Sequence, residues 1–97
     1  MAEQKRPATS VQVELGEKES EGIYSNFVII SFSASEFIFD FARILPGAQK
    51  AKVFARIVTT PQHARLLQNA LNDNIKKYED KFEKIKVMGK DNREIGF

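Results

Sequence analysis

The stretch 24–45 constrains the fold of this chain more than any other part of the sequence. It holds six of the ten aromatic residues and predicts two neighbouring strands. Successive side chains of a strand point to opposite faces, so a strand with one face in water alternates apolar and polar residues. Here Phe27 and Ile29 fall on one face while Val28 and Ile30 fall on the other. The pattern predicts a sheet that is apolar on both faces.

The chain is short for such a sheet. With 97 residues it forms one domain, and a core of that size leaves only a few kcal/mol of net stability. The sequence offers one helix, which can cover one face, so we expect a homo-oligomer, most simply a dimer, to cover the other. We expect the partner subunit to cover the rings of Phe37, Phe39 and Phe41.

The order of the elements predicts an α+β fold, a four-stranded antiparallel meander with one long C-terminal helix packed on one face. Val11, Val13 and Leu15 alternate with polar residues, which predicts a short first strand. The other strands are predicted at about 24–32, 36–45 and 51–58. Ser33-Ala34-Ser35 and Pro46-Gly47 are typical of tight turns.

The helix has the clearest pattern in the chain. Thr60 can cap the free backbone N–H groups, and Pro61 suits the first helical position. Apolar residues then recur at spacings of three and four, which predicts one apolar side about twenty residues long. These residues are Ala64, Leu67, Leu71, Ile75, Tyr78 and Phe82.

Composition narrows the setting in which the protein works. A net charge of +2 is a weak signature for nucleic acid. The chain has no cysteine, no apolar signal-peptide core and no apolar run of bilayer length. We therefore expect a cytoplasmic protein that binds no membrane. We predict a disordered arm at 1–9, the domain at 10–83 and a charged tail at 84–97.

Several short motifs resemble those of a family of short prokaryotic proteins catalogued as a domain of unknown function. The resemblance covers roughly residues 11–83 and implies a small stand-alone domain without established catalysis. The motifs are Tyr24-Ser25-Asn26, Glu36-Phe37, Asp40-Phe41, Pro46-Gly47, Arg56-Ile57, Thr60-Pro61-Gln62-His63-Ala64 and Asn74-Ile75-Lys76-Lys77-Tyr78-Glu79. Where the family pattern has glycine after Phe82, this chain has Glu83, so we expect its helix to run on.

The candidates for catalysis are few. His63 is the only histidine and there is no cysteine, which excludes Cys/His pairs and multi-histidine metal sites. His63 falls in the first helical turn, as a surface or capping residue or, less favoured, as a base. Glu36 and Asp40 could perform acid–base chemistry if desolvation raised one pKa. We favour a structural reading, in which Asp40 pairs across strands with Arg56 or Lys52.

The acidic loop gives no metal site. Glu17, Glu19 and Glu21 lack the ligand spacing and the turn glycine of a calcium loop. The sequence contains no glycine-rich phosphate loop. We predict no cofactor and no metal.

A nucleic-acid interface is the main alternative to an assembly surface. Lys52, Phe54 and Arg56 alternate on the last strand, and cations beside aromatic rings are typical of proteins that bind single strands. The segment 24–58 holds only four basic against two acidic residues. The sequence therefore favours a non-enzymatic assembly module that self-associates through its sheet.

Overall fold

The computed structural model describes residues 11–88. A short 3₁₀ turn, Glu19–Glu21, precedes three strands and one helix. The elements are β1 (Phe27–Phe32), β2 (Phe37–Arg43), β3 (Lys52–Thr59) and α1 (Pro61–Lys81). The strands form an antiparallel sheet in the order β1-β2-β3, with β2 in the centre. The α+β class, the antiparallel meander and the single long helix are confirmed.

The prediction of a fourth strand is wrong. Residues 11–16 form no strand, and Val13 keeps 90% of its surface exposed. Alternation over three apolar residues stabilises a strand only where a neighbouring strand supplies hydrogen bonds, and β1 and β3 leave their outer edges open within the described residues. The predicted arm at 1–9 and residues 89–97 of the predicted tail lie outside the described residues.

Both predicted turns are present and set the register of the sheet. The Ser33 N–H donates to the Glu36 carbonyl at 2.9 Å and closes the first hairpin, which pairs Phe32 with Phe37. In the second turn the Ala48 N–H donates to the Leu45 carbonyl at 3.0 Å. Gly47 there has φ 81°, a conformation that glycine adopts without the steric penalty of a side chain.

The helix begins as predicted and ends earlier than predicted. The hydroxyl of Thr60 accepts a hydrogen bond from the His63 N–H at 3.1 Å, and Pro61 is the first helical residue. The expectation that the helix runs on past Phe82 is wrong, because α1 ends at Lys81 and Phe82 has φ −115° and ψ −110°. The Ile85 N–H instead donates to the carboxylate of Glu79 at 2.9 Å.

The single chain buries very little. Within residues 11–88, Ala42 is the buried apolar residue, with 0% exposure, and Asp40 is the buried polar residue. Both lie on β2, on the sheet face opposite Phe37 and Phe39. The helix makes far fewer contacts with the sheet than the strands make with one another. The fold is therefore a well-paired sheet to which α1 is loosely attached.

Candidate functional site

An open groove separates α1 from the sheet. Its volume is about 610 Å³. Ile30, Phe37 and Phe39 form the sheet side, and the first three turns of α1 form the other. On the helix side, the groove is lined by residues that include Ala64, Leu67 and Leu71. A groove of this size between apolar walls means that the helix does not close over the sheet.

The apolar side of α1 remains in water along its whole length. We call Ala64, Leu67, Leu71, Ile75, Tyr78 and Phe82 the helix stripe. Leu71 is 55% exposed and Phe82 is 61% exposed, and none of the residues of α1 is buried. The rings of Tyr78 and Phe82 lie 5.0 Å apart and contact each other. The helix stripe is thus an apolar surface that the rest of the chain does not cover.

The three rings predicted to meet a partner lie on the helix side of the sheet. Phe37 and Phe39 line the groove beside the helix of their own chain. Phe41 lies on the same face, with its ring 6.4 Å from that of Phe39. All three are half-buried. That a partner subunit covers them stays a prediction.

Asp40 and Arg56 form the ion pair that the sequence suggested. Register pairs the two residues directly, and the Arg56 guanidinium donates to both carboxylate oxygens, at 2.7 and 3.0 Å. These hydrogen bonds, reinforced by the charge of Arg56, hold the pKa of Asp40 below its ordinary value of 3.8, although desolvation opposes the shift. A general acid at neutral pH needs the opposite shift. Glu36 lies outside β2 and is exposed.

The trio proposed for nucleic acid, Lys52, Phe54 and Arg56, is divided between two groups of side chains. Arg56 is engaged by Asp40, whereas Lys52 and Phe54 belong to another group at the far end of the sheet. There the Phe54 ring lies 5.4 Å from the Lys52 ammonium and 5.6 Å from the Arg43 guanidinium carbon. Arg43 lies 5.9 Å from the ring of Tyr24.

Sequence reasoning missed Arg43 and Tyr24 as partners of Lys52 and Phe54. A register slip between Phe41 and Ala42 brings Arg43 opposite Lys52. A β-bulge of this kind leaves no mark in a pattern of alternating residues. The signal that could have found Tyr24 is the polar pair that follows it, because Ser25 and Asn26 interrupt an otherwise apolar strand.

The remaining candidates are His63 and the acidic residues of the loop before β1. The Nδ1 atom of His63 lies 2.8 Å from the hydroxyl of Thr60, which places His63 in the helix cap. Among residues 11–88, no three histidine, aspartate or glutamate residues come together as a metal site, and this includes Glu17, Glu19 and Glu21. In the same range, no helix is both long and apolar enough to cross a bilayer.

A comparison with protein families places the chain. Residues 1–87 match the family described as "Protein of unknown function (DUF3467)". The chain belongs to this family. The match confirms the resemblance seen in the motifs and extends it at both ends. No curated protein and no solved structure matches this DUF3467 chain.

Proposed function

We propose that this DUF3467 protein is a non-enzymatic assembly module that forms a homodimer through its helix stripe and the groove beside it. One observation carries the proposal: the single chain leaves the apolar side of α1 half in water above an unfilled groove. Large contiguous apolar patches are rare on monomers and mark interaction surfaces.

The energetic argument starts from the missing core. Only Ala42 is a buried apolar residue among those described, whereas a domain of this size normally hides well over half of the surface that its unfolded chain exposes. Burying apolar surface contributes roughly 25 cal/mol per Å². A chain that leaves Leu67, Leu71 and Phe82 half-exposed forgoes about half of that stabilisation at these residues.

The exposed area matches what a second copy would cover. The helix stripe together with Ile30, Phe32 and Ile57 exposes roughly 850 Å² of surface, taking about 200 Å² for each fully exposed residue. A stable dimer covers about 800 Å² on each partner. A two-fold axis would bring the stripe and groove of one copy against those of the other, so that the same surface serves both subunits.

Shape points the same way. α1 has 21 residues and spans about 31 Å, whereas the seven residues of β2 span only about 23 Å. A helix laid along β2 would extend about 8 Å past it, so the end of α1 cannot rest fully on its own sheet. Phe37, Phe39 and Phe41 would then lie beneath helices from both copies. The sequence-based prediction places them on the sheet face away from the helix, covered by the partner subunit alone.

The non-enzymatic part of the proposal rests on the candidate catalytic groups. Asp40 is held by Arg56 with a lowered pKa, and His63 is engaged in the helix cap. A cytoplasmic location stays a prediction.

Light scattering coupled to size-exclusion chromatography tests the dimer. We expect a mass of twice 11.0 kDa and a melting temperature that rises with protein concentration, because association stabilises the folded state by mass action. A mass of 11.0 kDa at every concentration, with a melting temperature that does not change, would overturn the proposal.

A pair of charge-matched substitutions locates the interface. Leu71→Glu places a charge in the helix stripe and should shift the protein to a monomer or unfold it. Asn69→Glu adds the same charge on the opposite side of α1 and should leave the dimer intact. Equal behaviour of the two variants would show that α1 is not the dimer surface.

A further inference from the structure

A second surface lies at the end of the sheet where β1 and β3 begin and β2 ends. We call Tyr24, Arg43, Lys52 and Phe54 the cation–aromatic cluster. The Arg43 guanidinium lies between two rings, 5.9 Å from that of Tyr24 and 5.6 Å from that of Phe54. Lys52 approaches Phe54 at 5.4 Å. Tyr24 is 66% exposed and Phe54 is 45% exposed, so both rings are open to a ligand.

The cluster is held in place by backbone interactions on both sides. The side chain of Asn26 hydrogen-bonds to the backbone of Ile44 as a neighbouring strand would. Its amide group donates to the Ile44 carbonyl at 3.1 Å, and its oxygen accepts from the Ile44 N–H at 2.9 Å. The Ser25 hydroxyl donates to the Ala42 carbonyl at 2.8 Å. These bonds fix the residues that follow Tyr24 against the end of β2. They also give a role to the Tyr24-Ser25-Asn26 motif.

On the other side, a β-bulge positions Phe54. Phe41 pairs with Ala55 but Ala42 pairs with Val53, so Phe54 is the extra residue of the bulge. Bulges re-aim a side chain and occur often beside functional sites. The slip also brings Arg43 opposite Lys52, which places two cations side by side. Like charges directly opposite one another are unfavourable in a sheet unless an anion lies between them.

The charge along the segment that contributes Arg43, Lys52 and Phe54 is of one sign. Residues 41–60 contain four basic residues, Arg43, Lys50, Lys52 and Arg56, and no acidic residue. Arg56 is neutralised by Asp40, which lies on the opposite sheet face. Among residues 11–88, no carboxylate forms an ion pair with Arg43 or Lys52. The end of the sheet therefore presents two cations, Arg43 and Lys52, beside two exposed rings.

We infer that the cation–aromatic cluster binds single-stranded nucleic acid. Tyr24 and Phe54 offer ring faces on which bases stack, and Arg43 and Lys52 contact the phosphates, the combination used by sequence-tolerant single-strand binders. The site differs from the sequence-based prediction, since Arg43 and Tyr24 replace Arg56. It does not depend on self-association, because the helix stripe shares no residue with it.

Fluorescence anisotropy with a labelled single-stranded oligothymidine measures the binding. Two phosphate contacts give a slope of about −1.4 in log affinity against log salt, so affinity should fall about sevenfold between roughly 50 and 200 mM salt. A duplex of the same length should bind more weakly, because its bases are not free to stack on the rings. Absence of saturable binding at the lower salt concentration would overturn the proposal, whatever the variants show.

Two double variants of equal charge change locate the site. Arg43→Gln with Lys52→Gln should weaken binding and reduce the salt slope by more than one. Lys76→Gln with Lys77→Gln, on exposed positions of α1, removes the same charge and should leave affinity within about twofold. If both double variants lost the same affinity, binding would reflect only unspecific attraction by net charge. That result would contradict the assignment of the site to the cation–aromatic cluster.

The rings need a test of their own. Phe54→Leu keeps an apolar side chain and should weaken oligothymidine binding at least fivefold, because stacking a base on an aromatic ring is lost. The salt slope should not change, since no cation is removed. If Phe54→Leu binds like the parent protein, or if inorganic polyphosphate binds as tightly as the oligonucleotide, the surface recognises phosphate alone and the nucleic-acid proposal is wrong.

Discussion

The sheet and the helix of this protein are stabilised in different ways. The sheet is tied together across its strands, by the hydrogen-bond ladder, by the bidentate pair of Arg56 with Asp40 and by the clamp of Asn26 on Ile44. α1 is well formed locally, with a cap at Thr60, yet it contacts the sheet at few points. Each region is therefore specified by its own residues. The apolar surfaces through which helix and sheet would pack together remain partly exposed in a single chain.

The largest effect is expected at the centre of the sheet. Ala42→Glu would bury a carboxylate at a position with 0% exposure, at a cost of several kcal/mol, which approaches the whole stability of a domain of this size. We expect an unfolded protein by circular dichroism. Ala48→Glu, in the exposed second turn, is the control and should fold. A folded Ala42→Glu variant would show that the sheet is not the rigid region.

The second turn should matter less. Gly47→Ala forces a side chain into a residue with φ 81° and should cost about 1–2 kcal/mol in urea unfolding. No other atom lies near the added carbon, so the loss reports the backbone alone. Gly47→Asn should lose less, because asparagine tolerates this conformation. Equal losses for alanine and asparagine would contradict this account.

The helix cap should have a smaller effect that is confined to α1. Thr60→Ala removes the acceptor for the His63 N–H and should cost about 1 kcal/mol. Because α1 is loosely attached, amide exchange should speed up in α1 before it does in β2. Thr60→Ser restores the acceptor and should behave like the parent. A uniform change of exchange across both regions would mean that helix and sheet unfold as one unit.

The smallest effect concerns the Asp40–Arg56 pair and depends on pH. The pKa of Asp40 is lowered in the folded protein, chiefly by its hydrogen bonds with Arg56, so its stabilising contribution is present above the ordinary value of 3.8. The contribution is lost as the pH falls through the folded pKa. The melting temperature of Asp40→Asn should therefore lie below that of the parent at neutral pH, and the gap should narrow below pH 3.8. A gap in melting temperature that widens in acid would contradict a lowered pKa of Asp40 in the folded protein.

Local patterns explain why some parts of the fold were predictable. The spacing of three and four from Ala64 to Phe82, with Thr60 and Pro61 before it, predicts α1 almost to the residue. Pro46-Gly47 predicts a turn because few other residues suit it. The pattern from Val11 to Leu15 led to the wrong prediction of a fourth strand because it is also local. Alternation of apolar and polar residues shows that a strand is possible, but it does not show whether a neighbouring strand is there to pair with it.

The candidate sites were harder to predict because they depend on register. Opposite Asp40 the sequence allowed Arg56 or Lys52, and only the pairing of β2 with β3 selects Arg56. The bulge that follows separates Lys52 from Arg56 and joins it to Arg43. Tyr24 joins the group through the side chain of Asn26, an interaction between residues 18 positions apart.

The sequence by itself determined the turns, the start of α1, the apolar side of that helix and the family. Periodicity and backbone preference act over a few neighbouring residues, and they are readable wherever they occur. Tertiary structure alone decided that the sheet has three strands, that Asp40 meets Arg56 and that the cations of Arg43 and Lys52 lie together. Those outcomes depend on which distant residues face one another, and a shift of one residue in the pairing of two strands changes every partner.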